Sequence, residues 1–165
     1  MNWIIYGIEL VALIVCFALV VTIPITINPV SFISDYPPEI QEEYYRSQKR
    51  EKNKESLTKA MVIKKVVFLI AAVFLCAWMA YLAGADTFLQ GTILSFSYVV
   101  AIAAFDTFII DWIFFPRIKR WRLPGTEHMD RAYRQKWFHL KGVLVLVPMG
   151  AVFAVITGGI MVWLF

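Results

Sequence analysis

Apolar residues fall in four long runs, at about Trp3 to Ile23, Met61 to Leu82, Leu89 to Phe115 and Gly142 to Leu164, with polar residues gathered between them. Crossing the hydrocarbon of a bilayer takes about 20 apolar residues in a helix, the fold in which a single segment satisfies its own backbone N–H and C=O groups. Each run is therefore predicted to be a spanning helix. Pro24, Gly84 and Pro116 follow the first three runs. They read as stop signals, because proline cannot continue the hydrogen-bond ladder and glycine tolerates a left-handed cap. The pattern predicts an all-α protein, an integral membrane four-helix bundle forming a single domain over residues 1–165. A short loop lies at 83–88, and two longer polar segments lie at about 24–60 and 116–141.

Charge orients this bundle. All sixteen Lys and Arg residues lie in two segments, eight from Arg46 to Lys65 and eight from Arg117 to Lys141. Short loops rich in Lys and Arg stay on the cytoplasmic side. Both polar segments are thus predicted to be cytoplasmic and the 83–88 loop external, with both termini outside. The compact loops suggest a bacterial cytoplasmic (inner) membrane. Trp3, Trp78 and Trp163 fall near the outer ends, and Trp112, Trp121 and Trp137 near the inner ends, as two interfacial belts. The first run lacks a basic leader and a persuasive cleavage site, so it is expected to be a retained helix. The basic faces suit anionic lipid headgroups rather than nucleic acid.

The polar segments are expected to be helical. Asp35-Tyr36-Pro37-Pro38 is a turn opening a solvated, charged helix in which Glu42 and Arg46 pair at i,i+4. Leu123-Pro124-Gly125 is a second turn, after which Thr126 caps a helix that continues into the fourth span. Met129, Tyr133, Trp137 and Leu140 form one apolar stripe on it, and Glu127–Arg131 and Asp130–Arg134 are acid-first pairs. This is the pattern of an amphipathic helix lying at the membrane surface.

Acids inside apolar runs carry the candidate chemistry. Asp106 lies ten residues before Pro116, about 15 Å from the helix end at a rise of about 1.5 Å per residue. A charged residue at the bilayer centre costs roughly 2.5–3.5 kcal/mol on insertion scales, so Asp106 must pair, protonate or face water. Thr92 and Ser95 share its helical face. Asp111 is rotated by about 140° from Asp106 on an α-helix, so the two are not expected to form a dyad. It is expected to form an ion pair at the inner interface, where His139, Lys141, Lys64 and Lys65 lie at similar depth. Glu9 is a third acid, about 9 Å into the opposite end of the first span at the same helical rise. Asp106, Asp111 and Glu9 are the candidate ion or proton sites. Arg117, Arg120, Arg122 and Arg134 are the candidate lipid-headgroup contacts. Small residues every four positions, Gly150, Ala154 and Gly158 in the fourth run and Ala72, Cys76, Ala80 and Gly84 in the second, allow close helix packing.

No catalytic motif is present. His128 and His139 lie outside the spans, and Glu127, His128 and Asp130 match no zinc spacing, so neither haem nor metal is expected. Cys16 and Cys76 both lie in apolar runs and form no redox pair. With no cofactor and no reaction signature, the expected function is that of a non-enzymatic accessory or scaffold subunit of a membrane complex, with a homodimer or a second membrane protein as partner. The alternatives are a small ion- or proton-coupled transporter using Asp106, and a lipid-modifying enzyme at the cytoplasmic interface.

Overall fold

The structure, a computed structural model, describes residues 1–49 and 59–165. The end of the first basic segment, residues 50–58, lies outside the described residues. Four helices are long and apolar enough to cross a membrane: Trp3–Ile27, Met61–Leu82, Phe88–Arg117 and Asp130–Leu164. Among the described residues no strand forms.

The elements in chain order are α1 (Trp3–Ile27), a 3-10 segment (Pro29–Asp35), α2 (Pro38–Ser47), α3 (Lys59–Leu82) and α4 (Phe88–Phe105). A π-helical segment (Asp106–Phe114) then leads into an α turn (Phe115–Arg117) and a 3-10 turn (Lys119–Trp121). A single helical turn (Asp130–Tyr133) precedes α5 (Lys136–Leu164). Two ends differ from the sequence expectation. α1 does not stop near Pro24 but runs through it to Ile27. The Thr22 and Thr26 hydroxyls donate back to the Ala18 and Thr22 carbonyls at 2.6 Å each, giving this stretch side-chain hydrogen bonds around the proline. α5 begins at Lys136 rather than near Gly142 and contains Pro148.

The residues pack as two compact units. The first takes Met1–Ile14, Glu55–Ala103 and Val145–Phe165. Its core is built of small side chains, Ala77, Ala80, Ala83 and Ala85, with Leu94, Tyr98 and Met161. Gly150, Ala154 and Gly158 are all buried, as are Cys76 and Ala80, while Ala72 is half-buried. The approach of α5 to α4 depends on glycine. A methyl group at Gly158 would sit 2.8 Å from the Thr92 amide nitrogen and 2.9 Å from the Phe88 carbonyl oxygen, backbone atoms that cannot step aside. Close backbone approach of this kind is what small residues provide where no hydrophobic force separates helix from lipid.

The second unit takes Val15–Lys54 and Ala104–Leu144 and has a different core. Tyr36, Ile40, Phe115, Trp121, Leu123 and Tyr133 are buried together, with Ile25 and Ile110. Several of its polar groups are joined in a chain. The Tyr36 hydroxyl donates to the Trp121 carbonyl, and the Trp121 indole N–H donates to Thr26 Oγ1 at 2.8 Å. The Thr126 hydroxyl donates to the Leu123 carbonyl at 2.7 Å. That proton is then used, so in the 2.7 Å contact between Thr126 and Tyr133 the tyrosine donates, while its oxygen accepts the Leu123 N–H at 2.9 Å. Burial, with Tyr133 and Asp35 adding to it, pushes the Tyr36 hydroxyl above its ordinary range and keeps it a donor.

These contacts correct the reading of both polar segments. α2 is not a freely solvated helix, since Ile40 and Tyr44 are buried in this core. No continuous helix runs from Thr126 into the fourth span: Thr126 is itself buried, and the chain breaks after Tyr133. The expected apolar stripe divides, with Tyr133 1% exposed and Trp137 61% exposed. Trp121, 2% exposed, is a core residue rather than part of a surface belt. Arg46 pairs with Glu43 instead of Glu42, Asp130 pairs with Arg122 instead of Arg134, and the Glu127 carboxylate accepts from the Gly125 N–H at 3.1 Å. Gly125 has φ +86, and a Cβ there would strike the Ser47 side chain at the end of α2.

Two stability outcomes follow. Gly158→Ala is expected to destabilise by about 1–3 kcal/mol through overpacking, whereas Gly159→Ala, whose Cβ meets nothing within 4 Å, is expected to be neutral or better. Tyr36→Phe leaves the buried Trp121 carbonyl without its donor and is expected to cost about 1–3 kcal/mol. Unfolding midpoints in detergent micelles measure both; a Gly158→Ala midpoint no lower than that of Gly159→Ala would remove the close-packing argument.

Candidate functional site

The chain past Phe105 departs from α-helical geometry, and this rearranges its acids. Residues Asp106–Phe114 form a π-helix, closed by the Phe115 N–H bonding to the Ile110 carbonyl five residues back. In an α-helix residues five apart diverge by about 140°. In a π-helix the i→i+5 hydrogen bonds widen the turn, so residues five apart diverge less than they do in an α-helix. Asp111 acts electrostatically on Asp106, and the π geometry narrows the angle that an α-helix would set between them. Short π insertions are found disproportionately at functional sites; this one is nine residues long.

His139, from the first turns of α5, completes the group. Its Nδ1 lies 3.1 Å from Asp111 Oδ2, with the imidazole 8% and the carboxylate 19% exposed. Nδ1 facing a carboxylate holds the proton on that side. The other nitrogen, Nε2, is buried with no hydrogen-bond partner among the described residues. Phe115 packs edge-on against the imidazole, with ring centres 5.3 Å apart, and holds its plane. Asp106 is half-buried. Among the described residues no hydrogen bond or ion pair reaches its carboxylate; Asp111, His139 and Asp35 act on it electrostatically. Thr107, beside it, is 2% exposed with an unpartnered hydroxyl. The arrangement is a free carboxylate next to a carboxylate–imidazole pair, which has the groups needed to hold a proton or a small cation and pass a proton on.

Glu9 belongs to the first unit and has its own surroundings. Tyr98 donates to its Oε2 at 2.7 Å, Tyr6 stacks on Tyr98 with ring centres 5.4 Å apart, and the Tyr6 hydroxyl meets Ser97 Oγ at 2.9 Å. Glu9 Oε1 is buried without a partner, as are the hydroxyls of Thr92 and Ser95. Thr92 faces Gly158, so its role is in helix packing. No sequence signal pointed to Tyr98 as the partner of Glu9, because a single sequence says nothing of how two helices are rotated against each other.

The four arginines separate by environment. Arg122 is turned inward, its side chain 7% exposed. Its guanidinium donates to the Glu127 carbonyl at 2.6 Å, to the Pro116 carbonyl at 3.4 Å and to Asp130, and lies 5.0 Å over the Tyr133 ring. It ties the polar segment together and is not placed to meet a lipid. Arg117, Arg120 and Arg134 are exposed. Arg117 and Arg134 share an open cleft of about 300 Å³ with Asp111, Trp112, Pro116 and Lys136. Lys136 and Trp112 were absent from the sequence candidates, since nothing in their spacing joins residues 24 positions apart.

Arg122→Gln is expected to lower the unfolding midpoint in micelles, because it removes donors to the Pro116 and Glu127 carbonyls and to Asp130. Arg120→Gln, at an exposed base, is expected to leave it unchanged. Equal midpoints for the two variants would show that the Arg122 network contributes nothing. No family model, curated protein or solved structure matches the chain, so function follows from the residues themselves.

Proposed function

We propose that the chain is a small membrane protein that binds a proton or small cation at Asp106 and works as an ion- or proton-coupled transporter. The observation that supports this is the π-helical segment, which carries both Asp106 and the Asp111 that pairs with His139, with Asp111 and His139 both acting electrostatically on Asp106. An acid within an apolar span is costly unless it is used, and intramembrane acids mark ion and proton paths. Asp111 also lines the open cleft, so a proton entering there meets Asp111 and His139 first and Asp106 next. The unpartnered His139 Nε2 is an acceptor for it. In this proposal both basic segments face the cytoplasm of a bacterial inner membrane and both termini lie outside, following the distribution of Lys and Arg.

A second reading, an accessory subunit of a membrane complex, draws on α3. Its residues Val62–Ala71 are exposed on every side. A half-helix that meets no core among the described residues is where a partner helix, from another protein or a second copy, packs.

The test is proton flux into proteoliposomes under an imposed membrane potential. Wild type is expected to carry protons, Asp106→Asn to fall to the level of protein-free liposomes at an unchanged unfolding temperature, and Asp106→Glu to retain part of the flux. Flux in Asp106→Asn equal to wild type, or none in wild type with a second polypeptide recovered at fixed stoichiometry in mild detergent, favours the accessory-subunit reading instead.

A further inference from the structure

The cleft at the end of the π-helical segment has a composition that the proton site does not explain. Arg117, Arg134 and Lys136 converge on it, and all three side chains are exposed. Among the described residues none of the three has an ion-pair partner, whereas Arg46 and Arg122 both do. The one acid on the wall among the described residues, Asp111, is already engaged by His139. The Trp112 indole also lines the cleft, and its Nε1–H is buried with no hydrogen-bond partner among the described residues. Lys136 Nζ stands 4.9 Å over the Trp112 ring, which fixes the ammonium at the wall. A concave site with three exposed cations, none of them ion-paired among the described residues, suits an anion with several acceptor oxygens. Phosphate has that chemistry: a guanidinium donates to it in bidentate fashion, an ammonium acts as a point charge and the indole supplies a single donor.

The surroundings select the source of the phosphate. Trp137, next to Lys136 in sequence, is 61% exposed, and Phe114, three residues before Arg117, is 38% exposed. The cleft lies where the apolar helix Phe88–Arg117 ends. An ion from solution has no use for apolar groups beside it; a lipid does, with its phosphate in the cleft and its chains along the apolar side. We infer that Arg117, Arg134, Lys136 and Trp112 form a binding site for the phosphate of an anionic phospholipid headgroup, distinct from any general attraction of the basic surface to membranes. Arg120, exposed but outside the cleft, contributes only to that general attraction, and Arg122 contributes nothing.

The experiment is equilibrium titration of the full chain, held in phosphatidylcholine nanodiscs, with short-chain phosphatidylglycerol, bound lipid being counted by native mass spectrometry. Wild type is expected to bind phosphatidylglycerol one to one and short-chain phosphatidylcholine not at all. Arg117→Gln/Arg134→Gln is expected to weaken binding by about tenfold or more, as loss of charge-assisted bonds implies. Trp112→Phe, which keeps the ring and removes the donor, is expected to weaken it several-fold. Arg120→Gln should bind as wild type does. Unfolding midpoints of all variants are measured alongside, and only variants that match wild type are compared; Trp112→Phe and Lys136→Gln stand in if the double variant unfolds early. A loss in Arg120→Gln as large as in the double variant would overturn the site in favour of diffuse surface charge. Inorganic phosphate binding as tightly as the lipid and displacing it would overturn the headgroup assignment and make the ligand a soluble phosphate.

Discussion

The second unit hangs on Trp121. Its carbonyl takes the Tyr36 hydroxyl and its indole donates to Thr26, so a single buried residue joins the end of α1, the approach to α2 and the stretch after the π-helical segment. An unpaired carbonyl or indole N–H in an apolar core costs more than the bond returns when made, which makes this arrangement all-or-none rather than adjustable. Tyr133 and Thr126 complete the chain of donors beside it. Everything of functional interest in the unit is referred to this core: Phe115 packs on both Tyr36 and Tyr133 on one side and on His139 on the other.

The first unit solves its packing differently. Where both helices are apolar on all faces, burial against a neighbour gains little over burial in lipid, and close contact between backbones is what remains. Gly91 and Gly158 supply that contact, and Gly150 makes room for the Val99 side chain. The second unit instead buries large side chains from its polar segments, Tyr36, Trp121 and Leu123 among them, as the hydrophobic effect favours wherever a stretch meets water.

Asp111 belongs to both proposals. It pairs with His139, and it lines the cleft on which Arg117, Arg134 and Lys136 are exposed.

How much of this was legible beforehand depended on whether the signal was local. Long apolar runs declare spanning helices because the bilayer leaves the backbone no other way to satisfy itself, so four such helices could be read from residue order. A partner for Asp111 at the depth of His139 was also legible, since depth along a helix is simply residue count times rise. Helix type was not. The turn from α to π between Phe105 and Phe115 changes which residues share a face, and no propensity in Asp-Thr-Phe-Ile-Ile-Asp announces it. Nor were long-range pairs. Arg122 reads as one more surface base until Asp130, the Glu127 carbonyl and the Tyr133 ring close around it, and Tyr36 reads as a turn residue until Trp121 arrives from 85 positions away. Sequence alone determined what must leave water, because that depends on each stretch by itself; the tertiary structure decided which polar atoms meet, because that depends on the rotation and register of segments that a single chain does not encode locally.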